Sequence, residues 1–284
     1  MAIDTAFVKQ FGSTLELLVQ QKGARLRGCV RNESVTGEEA YFDQLSSTTA
    51  VEKVARNADT PLVKSEFARR RVSQVDWEWA DLIDKEDKLK MLVDPDSTIA
   101  MNAAYALGRA IDQSIITAFS GTAYTGKAGG SSTSFTSANQ IAASSANLTL
   151  AKIISAKVLL DANNVEPDEP RYMAVTASQI GAMLNITTIT SADYNTIKAL
   201  VAGDINTFCG FEFKKTELLT TASSSRTCLA WAKSGMLLAL GSDIKTEITR
   251  RADKSYATQV YASMSIGSTR MQEAKCVEVA CLES

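Results

Sequence analysis

The sequence predicts an α+β protein, and three observations carry that reading. Residues 96–119 bear an apolar stripe at three- and four-residue spacing, the signature of one long helix. The last forty residues alternate apolar and polar side chains with the period of a strand. Between the N-terminal segment and the helix, residues 33–93 are rich in charge and poor in the aliphatic side chains a core would need.

Composition narrows the function classes. Of 284 residues, 45% are hydrophobic and 22% charged, an ordinary balance for a globular chain long enough to bury a sizeable core. The formal net charge of −2 leaves no electrostatic footprint for sequence-specific nucleic-acid binding. No apolar run approaches the roughly 20 residues of a membrane span, and the N-terminus lacks a secretory pattern. The 5 cysteines are odd in number, dispersed and free of any C-x-x-C pair, which fits reduced buried thiols. There are 0 histidines. That removes Ser-His-Asp and Cys-His nucleophile activation, histidine metal sites and imidazole acid–base chemistry together.

In chain order, residues 4–22 place Phe7, Phe11, Leu15, Leu18 and Val19 on one helical face. Such an arm docks either on its own domain or on another chain, and the residues do not choose. Arg25, Arg27 and Arg31 follow in an extended basic run. The charged segment turns at Asn57–Pro61 and comes back through Arg69-Arg70-Arg71 into Val75, Trp77 and Trp79, which alternate with Asp76 and Glu78. Asp81 and Asp84 open an acidic run beyond. A long hairpin with so little core is not stable alone, so it must lie on its own domain or on another copy, and its paired blocks of opposite charge point to another copy.

Pro95 and Asp96 or Ser97 signal the start of the long helix, and Gly121 is placed for a left-handed cap at its end. A Gly/Ser-rich loop follows, with mobility expected at Gly129-Gly130. Residues 150–162 form a second amphipathic helix with Ile153, Ile154, Val158 and Leu159 apolar. Pro167 and Pro170 bracket a boundary. A small mixed α/β unit comes next: a strand at 171–176, helices at 178–184 and 193–201, and strands at 207–214 and 227–232. The chain ends in strands around Ile244–Ile248, Val260–Ile266 and Val277–Cys281, expected as one long antiparallel sheet under the central helix.

Chemistry-bearing patterns are few. Gly121-Thr-Ala-Tyr-Thr-Gly126-Lys127-Ala128 has the spacing of a phosphate loop, but Ala128 stands where Ser or Thr would bind magnesium. The stretch also leaves a helix, whereas a phosphate loop opens one. The carboxylates from Asp81 to Asp96 contain no calcium-loop pattern. No catalytic, cofactor-binding or metal-binding residue emerges, and no cofactor is expected.

The serial order of parts is more specific. The stretches EAYFDQLSSTTAVEKVARNADTPLV, RRRVSQVDWEWADLIDKEDK and DPDSTIAMNAAYALGRAIDQSIITAFSGTAYTG resemble major capsid proteins of tailed bacteriophages, in particular a podovirus-like group. That family has the Hong Kong phage-type shell fold, which encapsulins share. The resemblance implies an N-terminal arm at 1–32 and an extended E-loop at 33–93. It implies a P-domain at 94–167 and 236–284 with its spine helix at 96–119, and an A-domain at 168–235. It implies a structural, non-enzymatic subunit that self-assembles as hexamers and pentamers into an icosahedral shell around double-stranded DNA, in the host cytoplasm. The partners implied are further copies, a portal, a decoration protein and a scaffolding protein, the last a separate chain because no long extension precedes the arm. DNA contact is non-specific, and no membrane is involved. Candidate inter-subunit residues are Arg69, Arg70, Arg71, Trp77, Trp79, Asp81 and Asp84 on the hairpin and Phe7, Phe11 and Leu15 on the arm. The alternatives are an encapsulin-like compartment shell and a nucleotide-binding enzyme using residues 121–128.

Overall fold

In a computed structural model, residues 19–57, 59–84, 96–184, 207–222 and 224–283 are described. Phe7, Phe11, Leu15 and the helix expected at 193–201 lie outside the described residues. The chain begins its regular structure with β1 (Arg31–Ser34), followed by β2 (Glu39–Leu45), β3 (Phe67–Ser73) and β4 (Val75–Ile83). The central helix α1 runs Asp96–Ser120, 25 residues, as its periodicity predicts. Short strands β5 (Ala123–Thr125), β6 (Ser131–Thr133) and β7 (Gln140–Ile141) lead to α2 (Leu150–Ala162). Then come β8 (Arg171–Val175), α3 (Ala177–Leu184), β9 (Thr207–Phe208), β10 (Phe211–Lys215), β11 (Thr221–Ala222) and β12 (Ser225–Ala232). Two long strands, β13 (Met236–Arg251) and β14 (Ala257–Arg270), and the shorter β15 (Cys276–Leu282) finish the chain.

These strands make three sheets. One has the order β1-β13-β14-β4, a second β7-β15-β12-β8-β10-β9 with β11 added on β12, and a third β2-β3-β5-β6. The chain divides into two compact units. The first comprises residues 1–24, 76–110 and 242–265; it holds most of β4, the distal part of β13 and the first part of β14. Along β14, Val260, Ala262 and Met264 are buried while Tyr261, Ser263 and Ser265 are half-buried, the alternation the sequence predicts. The second unit comprises residues 25–75, 111–241 and 266–284 and carries the largest core. There Trp231 packs against Phe119 and Tyr172 at centroid distances of 6.0 and 6.1 Å and donates its indole N–H to the Cys29 carbonyl at 2.9 Å. A buried tryptophan keeps its N–H satisfied in this way at no loss of apolar area.

Four expectations change. Val277, Val279 and Cys281 do form a strand, but β15 pairs antiparallel with β12 (Cys228 opposite Val279) in the second sheet and not beside β14. Period-2 patterning identifies a strand and says nothing of its neighbour. The α2 helix is rotated from its predicted face: Lys152, Ile153, Ala156 and Leu160 are buried, whereas Ile154 and Val158 are exposed. Lys152 tolerates burial because its ammonium donates to the carbonyls of Ala143, Ala146 and Ala280 at 2.8, 2.7 and 2.9 Å, one acceptor per N–H. Gly121 is not left-handed. Its N–H reaches the Thr117 carbonyl at 2.9 Å, and the last helix carbonyls find a different partner, described below. Finally, the chain leaves the hairpin after Ser73, so Trp77 and Trp79 sit on β4, a strand of the first sheet.

Candidate assembly surface

β2 and β3 pair antiparallel from Glu39 opposite Ser73 to Leu45 opposite Phe67. Strand geometry turns successive side chains to opposite faces, so the run Arg69-Arg70-Arg71 is split. Arg70 faces inward and is 4% exposed. Its Nη2 holds both carboxylate oxygens of Glu273 at 2.7 and 2.5 Å, and its Nε donates to the Met271 carbonyl at 3.0 Å. Of the three arginines, Arg70 is thus the one engaged inside its own subunit, by burial and by pairing with Glu273. Gln44 donates to the same Met271 carbonyl at 2.7 Å. Val35, Val72, Leu237, Ala239 and Met271 pack as a small apolar cluster beside this root.

Glu273 also meets Arg270, whose Nε lies at 3.4 Å. Arg270 is fully buried; it donates to the carbonyls of Phe119 and Gly121, and its Nη2 reaches the Thr133 carbonyl at 3.3 Å. This guanidinium supplies the C-terminal cap of α1, where a cation also meets the negative end of the helix dipole. The Phe135 ring lies 4.9 Å from its centre. One carboxylate between two buried guanidiniums thus ties the hairpin root to the end of the central helix. Such a cluster costs desolvation, offset by the acceptors that Arg270 and the Nε and Nη2 of Arg70 reach, while Arg70 Nη1 is buried without a hydrogen-bond partner.

Arg69 and Arg71 face the other way. Arg69 pairs with Asp43 across the ladder at 2.6 Å, and its hydrogen bond holds the Asp43 carboxyl below the usual carboxylate range. Arg71 pairs with Glu39 at 3.1 Å and lies 4.7 Å over the Tyr124 ring of β5. β5 and β6 extend this sheet, and between them Gly126 and Gly129 adopt φ of +93° and +63° with the Gly129 N–H on the Gly126 carbonyl at 3.0 Å. The phosphate-loop spacing is thereby a hairpin turn after a helix C-terminus. The stretch leads into β6 and opens no helix, so the nucleotide-binding alternative loses its structural context.

Beyond Ser46, whose N–H meets the Glu66 carbonyl at 2.9 Å, the hairpin opens into described residues without strand structure. Its apolar side chains face solvent: Val54 and Leu62 are each 92% exposed and Phe67 82%, with Leu45 and Val51 exposed beside them. Their spacing in sequence gave no warning, because they neither alternate nor recur helically. On β4, Trp77 is exposed and Trp79 half-buried, with Asp81 and Asp84 exposed. The Asp81 carboxylate accepts the Leu82 N–H at 2.9 Å.

Among the described residues no group of three or more His, Cys, Asp or Glu is arranged to hold a metal, and no helix is long and apolar enough to cross a membrane. Cys29 and Cys276 are not poised as nucleophiles: burial pushes Cys29 up to about 11 and Cys276 further.

A family model described as phage capsid protein matches residues 3–283. No curated protein matches the sequence. Among solved structures, the capsid of cyanophage P-SCSP1u superposes with a TM-score of 0.75 at 17% identity, covering 100% of this chain and 95% of that chain. The capsid of Ralstonia phage GP4 gives 0.76 at 11% identity over 98% and 95%. A Mycobacterium phage Che8 structure gives 0.73 at 15% identity over 96% of each.

Proposed function

Because the chain belongs to the phage capsid protein family and is a structural protein of the phage shell, we propose that its copies associate as hexamers and pentamers into an icosahedral wall around packaged double-stranded DNA. A shell protein acts as many copies, so its first partner is itself. The observation that carries the finer reading is the hairpin: anchored at its root by Glu273, apolar and uncovered at its tip. Exposed apolar side chains on a projecting element are completed by another surface, and in a shell the available surface is a neighbouring copy. In this reading residues 33–93 are the E-loop, 94–167 with 236–284 the P-domain, and 168–235 the A-domain. Arg69, Arg71, Trp77, Trp79, Asp81, Asp84 and the arm residues Phe7, Phe11 and Leu15 are the further inter-subunit contacts.

Mild net acidity suits a wall that touches DNA only non-specifically, since each added phosphate-pairing cation would raise salt-dependent affinity. The subunit has no catalytic role in this account. A separate scaffolding protein, a portal and a decoration protein complete the particle, which is assembled in the host cytoplasm. Negative-stain microscopy with sedimentation of the protein expressed alone, then with its scaffold, tests the proposal. Closed shells, tubes or capsomer rings are expected, and a monomer under both conditions would contradict it.

A further inference from the structure

The described part of the N-terminal segment is held to α1 by contacts that neither helix propensity nor core packing explains. Gln20 donates to Asn102 at 3.1 Å, and Arg109 returns to the Gln20 side chain at 2.7 Å and to the Gln21 carbonyl at 3.2 Å. Next, Gly23 with φ +71° passes so near Gly108 that a Cβ there would stand 2.7 Å from the Gly23 backbone. Further along, the carboxylate of Asp112 accepts the backbone N–H groups of Arg25 and Leu26, both at 2.9 Å. Asp112 is fully buried near the middle of a long helix, where the dipole gives it no help and an apolar residue would cost less. Gly108 in a helix interior is likewise the poorer choice for the helix itself.

We propose that Asp112 and Gly108 are positioning residues: they clip residues 20–26 to α1 and so fix the point and direction from which the N-terminal arm leaves it. Asp112 supplies two charge-assisted hydrogen bonds to main chain that no tertiary strand satisfies. Gly108 supplies the notch that lets the backbone reach them. The consequence for assembly rests on the reading above, in which the arm contacts a neighbour; the clip itself does not.

The test is limited trypsin digestion of the full chain, timing cleavage after the exposed Lys22 and Arg25. Cleavage there requires local release of the segment. Gly108→Ala is the decisive variant, because it favours the helix while closing the notch. Cleavage about tenfold faster or more is expected for Gly108→Ala and for Asp112→Ala, on the scale of losing one or two buried hydrogen bonds, with helical circular dichroism unchanged. Asp112→Asn, which keeps one acceptor, should fall between. Wild-type cleavage of Gly108→Ala would overturn the clip, whether or not Asp112→Ala folds. Faster cleavage with shells still closing normally would support the clip and remove the arm from the assembly account.

Discussion

Trp231 and Leu62 are both large apolar side chains, and they live under opposite rules. Trp231 is 1% exposed, touches Phe119 and Tyr172, and spends its one polar group on Cys29. Leu62 is 92% exposed on the hairpin tip, with Val54 and Phe67 in the same condition. Trp231 finds its cover within one chain. The tip carries apolar area that a single chain leaves in water, at a cost of about 25 cal/mol for each Å². A protein selected only to fold would not keep both, so the difference separates what stabilises the subunit from what joins subunits.

The comparison can be broken at the core first. Trp231→Ala is expected to cost about 3–5 kcal/mol of unfolding free energy, read by urea denaturation, and to lose assembly with the fold. Next comes the root. Glu273→Ala leaves Arg70 and Arg270 without their shared carboxylate, and roughly 3 kcal/mol should be lost, because buried guanidiniums stay behind unpaired. Hydrogen exchange should then show early opening of β2 and β3.

A smaller effect is expected from acid. Burial alone would raise the carboxyl of Glu169, but hydrogen bonds from Lys275 and Ser234 outweigh it and hold the group below its usual range. Glu283 is held down likewise by Gln179, Arg226 and Thr176 against its burial. Since both folded values lie below the unfolded one near 4.5, their stabilisation is present above about pH 4.5 and is lost as pH falls through the folded values. The melting temperature should therefore decline below about pH 4.5, and less steeply in Glu169→Gln.

Much of the fold is legible in the sequence where one periodicity coincides with one buried face. α1 and β14 are of that kind, whereas on β13 the alternating Thr246 and Ile248 are exposed. The split of Arg69-Arg70-Arg71 was also legible in principle: in a strand the middle residue faces opposite its neighbours, so one of the three had to be treated separately. Lys152 was not legible, because its carbonyl acceptors come from loop and strand residues that only the folded chain brings together. The same holds for the Arg70–Glu273–Arg270 anchor, whose members are 203 residues apart at the widest. On α2 the exposed Ile154 and Val158 carry no sign in the sequence of which of two apolar faces is covered. The hairpin tip had charge and turn residues to announce a projecting loop, but its uncovered Val54 and Leu62 needed burial values to stand out.

If the tip serves assembly and not folding, removing its apolar side chains spares the subunit and costs the shell. The direct measurement is a triple substitution, Val51→Ser, Val54→Ser and Leu62→Ser, with thermal melting of the dissociated subunit and sedimentation of the assembled product from the same preparation. Stability within about 0.5 kcal/mol of the parent is expected, as for exposed positions generally, together with a loss of closed shells. Normal shells, or a subunit that melts early, would contradict it.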